Sequence, residues 1–297
     1  MRLRAATFRS ISSVDCCMPF KPEDAIGEVL GQRAEKAIDP SLAGFVCPYI
    51  ETECPKRSTN LGTEPYPVCT LWRGSRGQPR STERDLICVC PKRFYQVDWL
   101  QEVIEHCWPF DPPRNAMIAS EVKMAGFGNV DFVIADRGDS GEIGNFLSVE
   151  LQAVDITGSA YTAYEALRSA HDLPKRPTYG FNWDNVYKRY ITQLVRKGYF
   201  HHHWGTKIVA VIQDQVYQSV LEKADFMRTP NVKDKTVNIV FMTYVFEDDP
   251  DNSGQFRPKL ERVEGTSHAS LQSAIMYKEA PTIDEFKKRI ANALGRR

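Results

Sequence analysis

SVELQAVDITGS, residues 148–159, decides how the rest of this chain is read. Val149, Leu151 and Ala153 alternate with Glu150 and Gln152. A strand here turns apolar side chains to one face and sets a carboxylate beside an amide on the other. Such a pair on a half-buried strand needs partners, and the segment upstream supplies one. In NVDFVIAD, residues 129–136, Asp131 and Val133 share one face, while Val130, Phe132 and Ile134 share the other. The polar stretch DRGDSGEIGN, residues 136–145, turns the chain back. If the hairpin is symmetric about Ser140 and Gly141, Asp131 lies directly across from Glu150, with Cβ atoms about 4.5–5.5 Å apart. An asymmetric loop would undo that alignment. Opposed carboxylates repel, so the arrangement becomes favourable when a divalent cation sits between them. Few and hard oxygen ligands suit Mg²⁺, which keeps its waters and takes further oxygens from a phosphate.

Bulk properties bound the setting. The 297 residues can bury a sizeable core, in one large domain or one domain with a small module. Hydrophobic residues make up 42% and charged residues 26%, the balance of a soluble globular protein. No apolar run approaches the roughly 20 residues of a membrane helix. The formal net charge is zero, so no global field draws the protein to polyanions and any nucleic-acid contact must be local. Local basic groups are Arg73, Arg76 and Arg80; Lys92 and Arg93; and Lys188, Arg189, Arg196 and Lys197. Each reads as a solvated face or a set of phosphate contacts. The first fourteen residues hold three arginines and no acidic residue. This is read as a basic arm in preference to a transit peptide, because no amphipathic helix is evident. A cytoplasmic protein is expected.

The organisation is read as three parts: an arm and short helix over 1–45, a coil-rich segment over 46–94, and an α/β domain over 95–297. Residues 22–36 read as the short helix. VDWLQEVIEHCW (97–108) reads as another, followed by strands in ASEVKM, NVDFVIAD and NFLSVELQAVDI. A helix is expected over 161–170. NWDNVYKRYITQLVRKGY (182–199) is amphipathic, with Val186, Tyr190, Ile191 and Leu194 inward. KIVAVIQ and TVNIVFMTYVF have the composition of buried strands. TIDEFKKRIANALG closes the chain as a helix, with Thr282 and Glu285 as its capping box and Gly295 as its stop. This order predicts a mixed α/β sheet flanked by helices.

The chain has eight cysteines. Without a secretion signal, metal ligation explains their clustering better than disulfides do. FVCPYIETECPKRS, PVCTLW and CVCPKRF place Cys47, Cys54 and Cys69 with either Cys88 or Cys90 in the coil-rich segment. Four thiolates can close a tetrahedral zinc or iron site, and the binding energy would fold a segment poor in core. Cys107, beside Trp108, reads as a core residue, and the adjacent Cys16 and Cys17 as free thiols.

An Asp on one strand followed by Glu-x-Gln on the next resembles the PD-(D/E)XK nuclease core, with Gln152 where most members carry Lys. The cysteine series, VDFV, VELQAVDITGS and NWDNVYKRYITQLVRKG occur together and in order. Together they resemble the NotI and EagI family of type II restriction endonucleases. That resemblance implies a homodimeric, Mg²⁺-dependent endonuclease acting on double-stranded DNA, with an iron or zinc site of four cysteines. The catalytic residues would be Asp131, Glu150 and Gln152. Asp131 and Glu150 would hold Mg²⁺, and Gln152 would orient water, since an amide cannot serve as a base. The metal cysteines would be Cys47, Cys54, Cys69 and Cys90, leaving Cys88 as the extra one. The palindromes such relatives cut are GC-rich.

Glu121 is a candidate outer ligand or acid, Asp155 a cap for the turn at Gly158, and His201, His202 and His203 a polar turn. Two other classes remain: a non-catalytic DNA-binding protein organised by the four-cysteine site, and a sequence-independent repair nuclease.

Overall fold

A computed structural model describes residues 19–37, 39–58, 62–74, 86–126, 128–277 and 281–295. The basic arm, Cys16, Cys17, Arg76 and Arg80 lie outside the described residues.

Where a helix is expected over 22–36, the chain forms a hairpin of β1 (Ile26–Val29) and β2 (Gln32–Arg33), flanked by short 3-10 turns. The turn explains the difference. Leu30 and Gly31 both take positive φ, 48° and 75°, the handedness that matches right-handed strand twist. Gly27 lets β1 press closely on its neighbours, since a Cβ there would meet Leu86 Cδ1 at 2.2 Å. Those neighbours are β3 (Val68–Trp72) and β4 (Leu86–Cys88). The four strands run antiparallel in the order β2-β1-β3-β4. Every residue of β3 and β4 is buried, so the cysteine-rich segment holds more ordered core than its composition predicts. Glu28 of β1 is fully buried and paired in a fork with Arg93, at 2.8 and 2.9 Å. Arg93 is therefore structural, not a phosphate contact. It also donates to Phe256 O, tying this sheet to the larger one.

The remaining elements follow in chain order. Helix α1 (Trp99–Cys107) is capped by Asp98, whose side chain accepts from Gln101 N at 3.0 Å. Strands β5 (Ala116–Met124), β6 (Gly128–Arg137) and β7 (Ile143–Gln152) form an antiparallel meander. Then come β8 (Ile156–Gly158), α2 (Tyr161–Arg168) and β9 (Tyr179–Phe181), with β8 and β9 paired. A single helical rod follows: α3 (Trp183–Asn185), a π-helical turn Val186–Ile191, and α4 (Thr192–His203). Last are β10 (Ile208–Gln213), α5 (Asp214–Leu221), β11 (Ile239–Asp248), β12 (Phe256–Thr266), α6 (His268–Met276) and α7 (Ile283–Leu294).

Six strands make the main sheet in the order β12-β11-β10-β7-β6-β5. Strands β7, β10 and β11 are mutually parallel, and both outer flanks are antiparallel. Helices cover both faces of the parallel centre, so β10 is an unbroken apolar run with Ile208 to Ile212 fully buried. Each such Val or Ile contributes roughly 1.5–3 kcal/mol of burial. Helix α1 covers the face of Leu147, Val149 and Leu151. The π turn, α4, α5 and α6 cover the face of Ile208, Ala210, Ile212 and Phe241. This is the mixed α/β sheet flanked by helices that the sequence predicts. Strand β12 escapes the sequence reading because Pro258, Lys259, Glu261 and Arg262 break its apolar pattern. It is a sheet edge, where charge and proline blunt further pairing.

Candidate active site

The opening alternation holds in three dimensions. Val149 and Leu151 join the core under α1. Ser148, Glu150 and Gln152 therefore project from the opposite face, toward α4. Across β6 and β7 the register pairs Phe132 with Val149, Val133 with Ser148, Ile134 with Leu147 and Ala135 with Phe146. Continued by one residue, it sets Asp131 opposite Glu150. The loop is not symmetric throughout, since the register shifts between Ala135 and Arg137. The shift lies beyond the pairs that align the carboxylates. On the other side of β6, Ser120 faces Phe132 and Val122 faces Val130, which puts Glu121 across from Asp131. Three adjacent strands thus each bring one carboxylate to the same level. Glu121 sits at positive φ, 53°, and accepts from Asn129 Nδ2 at 3.1 Å.

Burial shapes this row. It raises the Asp131 carboxyl, against a backbone hydrogen bond in which Leu151 N donates to Asp131 Oδ2 at 2.8 Å. Burial also pushes Glu150 up to about 7, with Asp131 and Glu121 adding to the rise and Lys197 opposing it. The opposed carboxylates are not left to repel each other, as the sequence arithmetic implies. Lys197, 4% exposed, donates to Glu150 Oε1 and to Asn129 O at 2.7 Å. Read from sequence as part of a basic solvent face, Lys197 instead points into the protein and supplies the countercharge.

The same helix face repeats the pattern along β7. His201 lies fully buried between Lys197 O, 2.7 Å from Nδ1, and Ser148 Oγ, 2.8 Å from Nε2. The expected polar turn at His201 to His203 is therefore the last turn of α4. Burial drives His201 down to about 4, so it stays neutral. Helical residues four apart, Lys197 and His201, meet strand residues two apart, Glu150 and Ser148, because both repeats advance by about 6–7 Å. The next step reaches Gln152, whose amide donates to Ala153 O. Gln152 lines a polar cavity of about 120 Å³ with Arg189, Tyr190 and Gln193. The buried Tyr190 hydroxyl has no hydrogen-bond partner among the described residues. Burial raises its proton affinity, and the nearby Glu150 and Asp131 charges raise it further. The π turn immediately before α4 carries Arg189 and Tyr190, and π turns concentrate at functional sites. Asp155 does not cap the turn at Gly158; its Oδ2 accepts from Asn185 Nδ2 at 3.0 Å. A larger cavity, about 760 Å³, lies elsewhere and contains none of the three carboxylates. Two of its four acids, Asp214 and Asp184, are paired with Arg262 and Lys223.

The cysteines converge from two places. Cys47 and Cys54 bracket one turn, in which Cys47 N donates to Thr52 O at 2.8 Å and Cys54 N to Phe45 O at 2.9 Å. Cys69 lies on β3 and Cys90 just past β4, where Val89 N donates to Cys69 O at 2.9 Å. Burial raises both Cys54 and Cys69. Cys90 raises each further, and Cys47 also raises Cys54, so the four thiols share one electrostatic neighbourhood. Cys88 stands apart: its thiol donates to Cys90 O at 3.2 Å, packs into the core, and is pushed up to about 12 by burial. Cys107 is buried in the same core, as expected. Among the described residues, no three His, Cys, Asp or Glu side chains are drawn together as a metal-holding group.

The family model for restriction endonuclease NotI matches residues 29–257, a span that takes in the carboxylate row, Gln152, Lys197 and all four clustered cysteines. No curated protein and no solved structure matches. The chain belongs to the NotI restriction endonuclease family.

Proposed function

From that membership, we propose that the chain is a type II restriction enzyme that hydrolyses double-stranded DNA at a GC-rich palindrome, working as a Mg²⁺-dependent homodimer. The nuclease core would be of the PD-(D/E)XK type over 95–297, joined to a metal-binding module over 46–94 and an arm over 1–45. The observation that carries this reading is the register of β6 and β7, which brings Asp131 against Glu150 with Gln152 next along the same face. No described helix is long and apolar enough to cross a membrane, and the proposed place of action is the cytoplasm.

The residues fit a hard cation. A half-buried and a buried carboxylate, the second pushed up to about 7, gain most from a divalent charge beside them. Mg²⁺ uses one or two carboxylates plus phosphate oxygens, not an all-protein cage, so a pair of carboxylates without a third close ligand is the expected donor set. When bound, the ion would lower the pKa of an attacking water and offset charge on the phosphate. Asp131 and Glu150 would hold it. Leu151 N fixes the Asp131 carboxylate, and Lys197 fixes Glu150 while bridging to Asn129 O. Gln152 would orient the water through its amide. Arg189 on the cavity rim would take a phosphate oxygen. Lys197 acts through Glu150 and is therefore a positioning residue.

The four thiols fit a soft or borderline metal by chemistry, since a thiol ionises when a cation replaces its proton, and burial raises the proton affinity of two of them, Cys54 and Cys69. Iron or zinc on Cys47, Cys54, Cys69 and Cys90 would brace the turn against β3 and β4. The test of the whole reading is incubation of one sequenced plasmid with the protein and Mg²⁺. Discrete fragments support a restriction enzyme. A smear supports a repair nuclease, and unchanged DNA supports a binding protein.

A further inference from the structure

Tyr190 is packed as a core residue but carries a hydroxyl that the core does not use. The residue is 6% exposed and belongs to the apolar cluster that holds Val130, Val154, Val186 and Leu194. Its hydroxyl oxygen is closed off from solvent and has no hydrogen-bond partner among the described residues. A buried hydroxyl in that position has given up its bonds to water without replacing them. Phenylalanine would fill the same space without that penalty. The surroundings indicate what the hydroxyl is for. The charges that act on it are those of Glu150 and, more weakly, Asp131. Residues 190, 194, 197 and 201 follow the three- and four-residue spacing of one helix face, and all four are buried. Through Lys197 and His201 that face meets Glu150 and Ser148 of β7. Tyr190 shares its cavity with Gln152, so it stands one step along the strand from the Lys197 contact.

We propose that Tyr190 is a positioning residue whose hydroxyl donates to the Glu150 carboxylate when that carboxylate turns to hold a divalent cation. This rests on the reading of Asp131 and Glu150 as cation ligands. Charge favours a tyrosine in this role. Lys197 holds Glu150 with a full positive charge, which repels a cation on the same carboxylate. A phenol donates a hydrogen bond without a net charge, so it fixes the group and leaves the negative charge to the ion. A carboxylate offers about four acceptor sites, and Lys197 occupies one, at Oε1. The remaining sites accommodate both the hydroxyl and an ion. Because the hydroxyl gains its missing bond only in that arrangement, Tyr190 favours the ion-bound form over the ion-free one.

The experiment follows the urea midpoint of the full chain as Ca²⁺ is raised, for the wild type and for Tyr190→Phe. An ion that binds the folded state raises the midpoint. Without Ca²⁺ the variant is expected to match or exceed the wild type, since it keeps the ring and loses no hydrogen bond. With Ca²⁺ it is expected to need about 10–100-fold more of the ion for the same rise, the usual effect of removing the partner of a metal ligand. The shift is expected to persist in a Gln152→Ala background. A variant less stable than the wild type without Ca²⁺ would show a purely structural hydrogen bond and overturns the proposal. So does an equal Ca²⁺ response in the two proteins. A shift that vanishes with Gln152→Ala assigns the hydroxyl to the amide and overturns the link to Glu150. If the wild-type midpoint ignores Ca²⁺, the carboxylates hold no ion, and the proposal falls together with the reading beneath it, a result visible in the wild type alone.

Discussion

Glu150 and Lys197 form a buried ion pair within the carboxylate row, and the pair behaves differently from its parts. Changing Glu150→Ala removes a like charge beside Asp131 but strands the Lys197 ammonium in the interior. Breaking one partner of a buried pair costs about 3–5 kcal/mol, which outweighs relief of a repulsion that Lys197 already offsets. Glu150→Ala should therefore lower the urea midpoint of the metal-free protein, while Glu150→Gln, which keeps an acceptor for Lys197, should lower it less. Equal midpoints would show that the pair is not formed in solution. His201 gives a second residue-level test. Its folded value of about 4 lies below the ordinary 6.5 because of burial. Between those values the unfolded chain takes up a proton that the folded chain refuses, so stability falls as pH drops through that window. At about 1.4 kcal/mol per unit the loss is on the order of 3 kcal/mol by pH 4. His201→Gln should remove this component from the pH profile of urea midpoints. A variant with the wild-type slope would show that another group carries it.

At the scale of elements, α4 positions the site by lying unusually close to the sheet. A Cβ at Gly198 would meet Ile239 Cγ1 at 2.6 Å, so the glycine sets the helix–sheet distance between Lys197 and His201. Gly198→Val should cost about 1–3 kcal/mol of overpacking and should reduce cleavage beyond what lost stability explains. Retained activity at full stability would remove α4 from the account. In the cysteine segment, Cys90→Ser should lose iron or zinc by elemental analysis, whereas Cys88→Ser should keep it. The reverse result would exchange their roles. How much of this could be read from sequence depends on what fixes each feature. The strand alternation and the Asp131–Glu150 register were legible, because period two and loop length are local properties. The inward turn of Lys197 was not. On a helical projection it lies at the border of apolar and polar faces, and only the buried Glu150 decides which way it points. The β1–β2 hairpin was missed because its charged residues resemble a helix surface, while its turn depends on two positive φ values. Arg93 looked like a surface charge because its partner, Glu28, lies far away in sequence.

For the whole molecule, 38 basic and 38 acidic side chains cancel, so attraction to DNA must come from local groups such as Lys188 and Arg189, both exposed on the helical rod. Binding should weaken steeply with salt, by several powers of ten between about 50 and 200 mM if six or more phosphates are contacted. A flat response would mean that these groups are bystanders. Binding and cutting should also separate, because in the proposed function the carboxylate row would serve the reaction and not base readout. The most direct measurement is therefore a paired gel assay of wild type and Glu150→Gln on the same plasmid, with Ca²⁺ to follow binding and Mg²⁺ to follow cutting. The account predicts that both proteins bind alike in Ca²⁺, while in Mg²⁺ only the wild type yields discrete fragments and the variant is slower by orders of magnitude. Cutting by Glu150→Gln at a near wild-type rate would contradict it.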